Sequence, residues 1–292
     1  MTTYLQLLID ALMLAGVYGA IAVGLSIGFG VMRVVNWAHG ECFMAGLYLT
    51  YAMVTYLGVN PYVAMFGGGI VLFLFGYCLQ RFVFNNILER ETEREPVTIM
   101  LFGAGLGLAL SSIALMIFSS YPMQTQSSMK GKMWEIAGMY VSVTRFIAFV
   151  FAVILTIVLY IVIQKTEIGR AIRATSQNRF VAQLMGIPYK HIYSLVFGLG
   201  LGLLGMSAGL MAPFYPATPT VGTVFGFKAM VIVVLGGKGS IPGALLGGLI
   251  VAMVEKFGGW FIGDVYAQCL IFVVFILTLL VRPNGILGTD KG

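Results

Sequence analysis

The chain has 292 residues, of which 59% are hydrophobic and only 10% charged, with a formal net charge of +6. An ordinary globular domain carries roughly 25% charged residues, so a water-facing surface for 31.6 kDa cannot be assembled from this set. That excludes a soluble enzyme, a nucleic-acid-binding domain and a disordered chain, and leaves a polytopic membrane protein whose 38 glycines suit close helix packing in lipid.

A membrane-crossing helix needs roughly 20 apolar residues. In chain order the apolar runs are 7–31, 42–58, 62–84, 97–119, 146–164, 192–213, 240–257 and 265–281. A further run, 224–236, is short for a crossing. It reads as a half-helix, a re-entrant piece or part of a span extended into 216–223. The expected fold is all-α, with about eight or nine transmembrane helices in a single transmembrane domain over 1–292. No basic residue precedes Arg33 and the first run is too long for a secretory signal, so it reads as a retained helix. Cys42, Cys78 and Cys269 are far apart, lie within or beside apolar runs and read as small apolar packers.

Orientation follows Lys and Arg near the span ends. The segment 165–191 carries Lys165, Arg170, Arg173, Arg179 and Lys190 against the single acid Glu167, which places it in the cytoplasm. Counting back, 85–96 is cytoplasmic, with Arg90 and Arg94 offset by Glu89, Glu91, Glu93 and Glu95. Arg33 is then cytoplasmic as well and the N-terminus external. Lys130, Lys132 and Arg145 in the external segment 120–145 run mildly against this scheme. Arg282 and Lys291 put the C-terminus inside, so the number of crossings is odd and 224–236 counts as a ninth.

The first polar break, Phe29 to Glu41, holds Arg33, Asn36, His39 and Glu41 between two runs only a few residues apart. Polar backbone at membrane depth survives only when buried in protein or lining a cavity. Asn36 or Gly40 is placed to start the second helix, with Glu41 in its first turn. Two readings stay open: an element lining a pathway or gate, built on Asn36, His39, Gly40 and Glu41, or a plain cytoplasmic turn in which Arg33 and Glu41 pair. In 166–188, Ile168, Ala171 and Ile172 share one helical face, and Val181, Leu184 and Met185 another. Asn178 is an N-cap, Gly186 a C-terminal cap and Pro188 a stop. The spacing predicts two short amphipathic helices, 168–174 and 179–185, that need an apolar surface on the bundle, the lipid interface or a partner. Lys228 and Glu255 lie near the ends of apolar runs and are read first as snorkelling to the interface, second as functional. Asp10 is expected to face water. The glycine-rich break Leu235 to Gly243, with Gly237 and Pro242, interrupts two helices and lies in the cytoplasm, or near the pathway if 224–236 is re-entrant.

Several chemistries lack their residues. There is no GxxxxGK[ST] phosphate loop, and Gly237-Lys238-Gly239-Ser240 is only superficially like one. Gly200, Gly202 and Gly205 spell GxGxxG inside an apolar span, without the preceding strand that dinucleotide binding requires. His39 and His191 are the only histidines, so no multi-histidine metal site is expected, and no nucleophile–base constellation points to an enzyme. Glycine pairs at four-residue spacing, such as Gly24/Gly28, Gly103/Gly107, Gly205/Gly209 and Gly243/Gly247, read as helix-packing positions.

Four segments in series resemble the permease subunits of branched-chain amino-acid ABC importers. They are Gly30-Val31-Met32-Arg33-Val34-Val35-Asn36-Trp37-Ala38-His39-Gly40-Glu41, Gly169-Arg170-Ala171-Ile172-Arg173-Ala174 followed by Leu184-Met185-Gly186-Ile187, Val234 to Ala244, and Arg282-Pro283-Asn284-Gly285-Ile286-Leu287-Gly288. Trp37 stands where that family usually has Phe. The resemblance implies a multi-pass subunit of the bacterial inner membrane that is not itself an enzyme and needs no cofactor. It implies as partners a second, related permease, two cytoplasmic ATPases and an external substrate-binding protein. It also implies that Gly169, Arg170, Ala171, Arg173, Ala174, Arg179, Leu184 and Gly186 couple the chain to the ATPase. Asn36, His39, Gly40, Glu41, Lys228, Gly237 and Pro242 are the candidates for the pathway or gate. Substrate stays open among branched-chain amino acids, urea, short amides and aromatic acids. A secondary carrier or channel is the competing class.

Overall fold

A computed structural model describes residues 2–90, 97–127, 129, 131–136 and 138–288. Glu91, Glu93, Arg94, Glu95, Lys130 and Lys291, used above for orientation, lie outside the described residues. The helices are α1 (Thr2–Met32), α2 (His39–Leu57), α3 (Pro61–Leu79), α4 (Asn85–Arg90), α5 (Val97–Phe118), α6 (Val143–Lys165), α7 (Glu167–Gln177), α8 (Arg179–Leu184), α9 (Tyr189–Met211), α10 (Val221–Gly236), α11 (Ile241–Ile262) and α12 (Asp264–Val281). A π-helical turn, Gln80–Phe84, joins α3 to α4, and an antiparallel hairpin of β1 (Met133–Ile136) and β2 (Met139–Ser142) leads into α6.

Among the described residues seven segments are long and apolar enough to cross a membrane: α1, α3 with its π-helical extension, α5, α6, α9, α11 and α12. The remaining long helices are α2, which is less apolar, and α10, whose 16 residues span about 24 Å. Each of the eight runs read from the sequence is helical to within one or two residues of its ends, and the short run gains three residues at its start. The protein is thus an all-α polytopic membrane protein.

α9 is the centre of the bundle: 83% of its apolar stretch is buried, against 11% for α12 on the outside. Glycine makes this possible. Gly24 of α1 and Gly200 of α9 face each other so closely that a Cβ on Gly24 would stand 2.5 Å from the Gly200 carbonyl oxygen. Gly205 lies against Gly68 of α3 in the same way. The GxGxxG run is therefore a packing surface inside one helix. Helix ends are built locally: Asn60 accepts from the Tyr62 amide with Pro61 at the first position of α3, and Ser240 accepts from the Gly243 amide to start α11. Of the three cysteines only Cys42 is in the core, whereas Cys78 and Cys269 lie on the outer surface of the isolated chain.

Candidate functional site

Three polar regions stand out against this apolar frame. The first is the break between α1 and α2. Arg33 has a left-handed backbone (φ 56°) that turns the chain out of α1. Asn36 then accepts from the Ala38 amide through Oδ1 at 3.0 Å, and α2 begins at His39 rather than at Asn36 or Gly40. His39 is buried, with Nε2 3.1 Å from the Ile21 carbonyl of α1. Gly40 is covered by Gly222 and Gly226 of α10, where no Cβ would fit. These contacts fix the start of α2 between α1 and α10.

Arg33 and Glu41 do not pair. Arg33 is exposed and lines a cavity of ≈300 Å³ with Ser176, Asn178, Arg179 and Tyr193, at the joint between α7 and α8. Glu41 points the other way, because one helical turn separates it from the break and α2 runs back into the bundle. It lies in a groove of ≈450 Å³ together with Asn36, Trp37, Ser111, Thr220, Thr223 and Phe227. Small residues on α5 make room for it: a Cβ on Gly107 would stand 3.2 Å from Glu41 Oε2, and one on Gly103 would stand 3.3 Å from the Trp37 amide nitrogen. Among the described residues Glu41 has no ion-pair partner. Gly237 and Pro242 do not line this groove.

The second region overturns the snorkelling expectation for Lys228 and Glu255. Lys228 Nζ lies 2.8 Å from Glu255 Oε2, with side chains only 12% and 24% exposed. Tyr18 donates to Glu255 at 2.9 Å and accepts from Lys228 at 2.9 Å. The ammonium also sits 5.1 Å from the Tyr18 ring centroid and 5.5 Å from that of Phe225. The triad joins α1, α10 and α11 inside the bundle, since a buried charge is held only by a partner and hydrogen bonds. Asp10 likewise does not simply face water: Arg145 lies 3.2 Å from it and pins the foot of the β-hairpin to α1. That pairing neutralises one of the basic residues that ran against the charge rule. Tyr18 and Phe225 were missed from sequence because an aromatic in an apolar run carries no signal for the charge it packs against.

The third region is 165–191. Thr166 accepts from the Gly169 amide and caps α7. Gly169 is required because α7 folds back on the end of α6, where a Cβ would meet the Val162 and Ile163 carbonyls. Arg173 donates to the Ile163 carbonyl, which holds the same corner, and Ala171 and Ala174 sit half-buried beside it. Arg170 is exposed beside Glu167 at 3.0 Å. Asn178 accepts from the Phe180 and Val181 amides to start α8, and Gly186 (φ 82°) ends it. Both predicted helices are thus present. Ile172 and Ala182 are buried, but Phe180 (64% exposed), Leu184 (86%) and Met185 (77%) project away from the bundle. Nothing among the described residues covers this apolar row.

The segments that carry the resemblance converge at one end. Gly239 packs on Gly30, and the Ile286 and Leu287 amides donate to the Leu235 and Gly236 carbonyls at 2.9 and 3.0 Å. The glycine-rich break is therefore a close-packed junction of the α1 end, α10 and the C-terminal segment.

Comparison with known proteins agrees. The chain is 30% identical to the high-affinity branched-chain amino acid transport system permease protein BraD of Pseudomonas aeruginosa, over 99% of this chain and 97% of that protein. It is 29% identical to the high-affinity branched-chain amino acid transport system permease protein LivH of Escherichia coli K12, over 99% and 96%. It is 28% identical to the probable branched-chain amino acid transport permease protein LivH of Methanocaldococcus jannaschii, over 92% and 88%. No solved structure matches the chain significantly. The family model described as branched-chain amino acid transport system / permease component matches residues 7–279, so the chain belongs to the family of these permease components.

Proposed function

We propose that the chain forms half of the membrane pathway of an ATP-driven importer of the bacterial inner membrane. Its cargo is branched-chain amino acids, which the names of its relatives give for theirs. A second permease completes the pathway, two cytoplasmic ATPases supply the energy and an external binding protein delivers the substrate. The observation that carries this reading is the apolar row of Phe180 and Leu184 on α8 and Met185 at its end, uncovered among the described residues, on a helix anchored by buried Ala182 and the Asn178 cap. A short helix that exposes its apolar side beside basic residues is built to dock a partner. ATP-driven closure of that partner displaces α7 and α8, and the Gly169–Arg173 corner transmits the motion to α6. Asn36 and Glu41 line the pathway in this reading, while His39, Gly40, Gly237 and Pro242 hold the helices around it and Lys228 anchors α10.

The test is copurification of an ATPase with the chain and ATP-dependent uptake in proteoliposomes. A paired Leu184→Glu and Met185→Glu substitution is expected to abolish ATPase association while the chain still inserts and folds. Gradient-driven flux by the chain alone, without ATPase, would instead establish a secondary carrier or channel.

A further inference from the structure

We infer that the groove beneath the start of α2 is a recognition site for a zwitterionic α-amino acid, with Glu41 as the ligand for its ammonium group and Asn36 for its carboxylate. The inference rests on the pathway reading above and deepens it. Glu41 is half-buried inside the bundle, where it accepts a hydrogen bond from the Thr223 side chain but has no cationic partner among the described residues. One hydroxyl only partly satisfies a half-buried carboxylate, which leaves it able to take a cation. Gly107 leaves the space beside Oε2 open.

Asn36 supplies the complementary group. It is 94% buried, its Oδ1 is engaged by the Ala38 amide, and its Nδ2 has no hydrogen-bond partner. A buried amide donor left unpaired is unusual in a folded protein. Asn36 lines the same groove as Glu41, at the amino end of a 19-residue helix whose dipole favours a negative group. Between and beyond these two, Trp37, Leu108, Phe227 and Met230 give the groove an apolar wall. One anionic group, one donor at a helix amino end and an apolar wall match the three parts of an aliphatic amino acid: ammonium, carboxylate and side chain. At ≈450 Å³ the groove lies within the roughly 300–1,000 Å³ usual for small-molecule sites. Urea and short amides have neither charge and would leave both polar groups unmatched. Aromatic acids without an amine would bring a carboxylate toward Glu41.

The experiment uses the complete transporter in proteoliposomes, with its binding protein and labelled leucine, and reads leucine taken up per ATP hydrolysed. Glu41→Gln keeps the shape and removes the charge. It is expected to lower that ratio at least tenfold, with partial recovery in Glu41→Asp. Asn36→Asp keeps the oxygen that accepts from Ala38 but replaces the Nδ2 donor by an acceptor, and is expected to raise the KM for leucine at least tenfold. Parental ratios and KM in both variants would overturn the inference while leaving the pathway reading intact. Failure of either variant to assemble would overturn it too, by making that residue structural. If the unmodified transporter shows no ATP-driven leucine uptake, the pathway reading is what fails.

Discussion

The pairing of Lys228 with Glu255 shows how an apolar surrounding changes the meaning of a charge. Neither residue alone is affordable inside the bundle, but together with the Tyr18 hydroxyl they satisfy each other. Lys228→Met or Glu255→Leu alone is therefore expected to destabilise the protein by about 3–5 kcal/mol, because each leaves one charge buried and unpaired. The double substitution is expected to recover most of that loss, and thermal unfolding of the purified protein in detergent would measure both. A double variant no more stable than either single one would mean that the pair does not act as a unit. Sequence disclosed that two ionisable residues sit in apolar runs. It did not disclose that residues 27 positions apart meet, since helix-end charges that snorkel and charges that pair inward have the same local pattern. The same holds for Arg33 and Glu41, which are close in sequence and yet line different cavities because the chain turns between α1 and α2.

At the scale of elements, the legible features were those encoded locally. The Asn178 cap, the Gly186 stop and the two amphipathic faces of 166–188 follow from short-range rules, and α7 and α8 form where those rules put them. Asn178→Ala is expected to cost about 1 kcal/mol of local helix stability by freeing the Phe180 and Val181 amides. Hydrogen exchange confined to α8 would register it. Leu184→Ser, at a residue 86% exposed, is expected to change stability by no more than about 0.5 kcal/mol, yet to weaken binding of the ATPase in a pull-down. Glycine spacing was legible as packing, but its partners were not. Gly24 meets Gly200 across two helices, whereas Gly107 leaves room for Glu41. Gly24→Val is accordingly expected to destabilise by about 1–3 kcal/mol or more through the clash with the Gly200 carbonyl, seen as a lower unfolding temperature.

At the scale of the whole molecule, α6 sets a ruler. Its 23 residues span about 34 Å, so the hairpin before it and α7 after it stand on opposite sides of a membrane. A cysteine placed at Gln177 is expected to react only with reagents added from the cytoplasmic side, and one at Met133 only from outside. Labelling of both from one side would overturn the topology. Composition and hydropathy by themselves determined that this chain lives in lipid, where its long apolar helices lie, and where the two short helices of 166–188 begin and end. Those properties depend on transfer of apolar residues from water and on capping within a few positions, both of which are written along the chain. Only the tertiary structure decided that Lys228 is paired, that the four family segments largely gather at one end, and that Asn36 and Glu41 share a groove. Each of these depends on which helix lies beside which, and in a bundle where nearly every face is apolar, no local pattern distinguishes one neighbour from another.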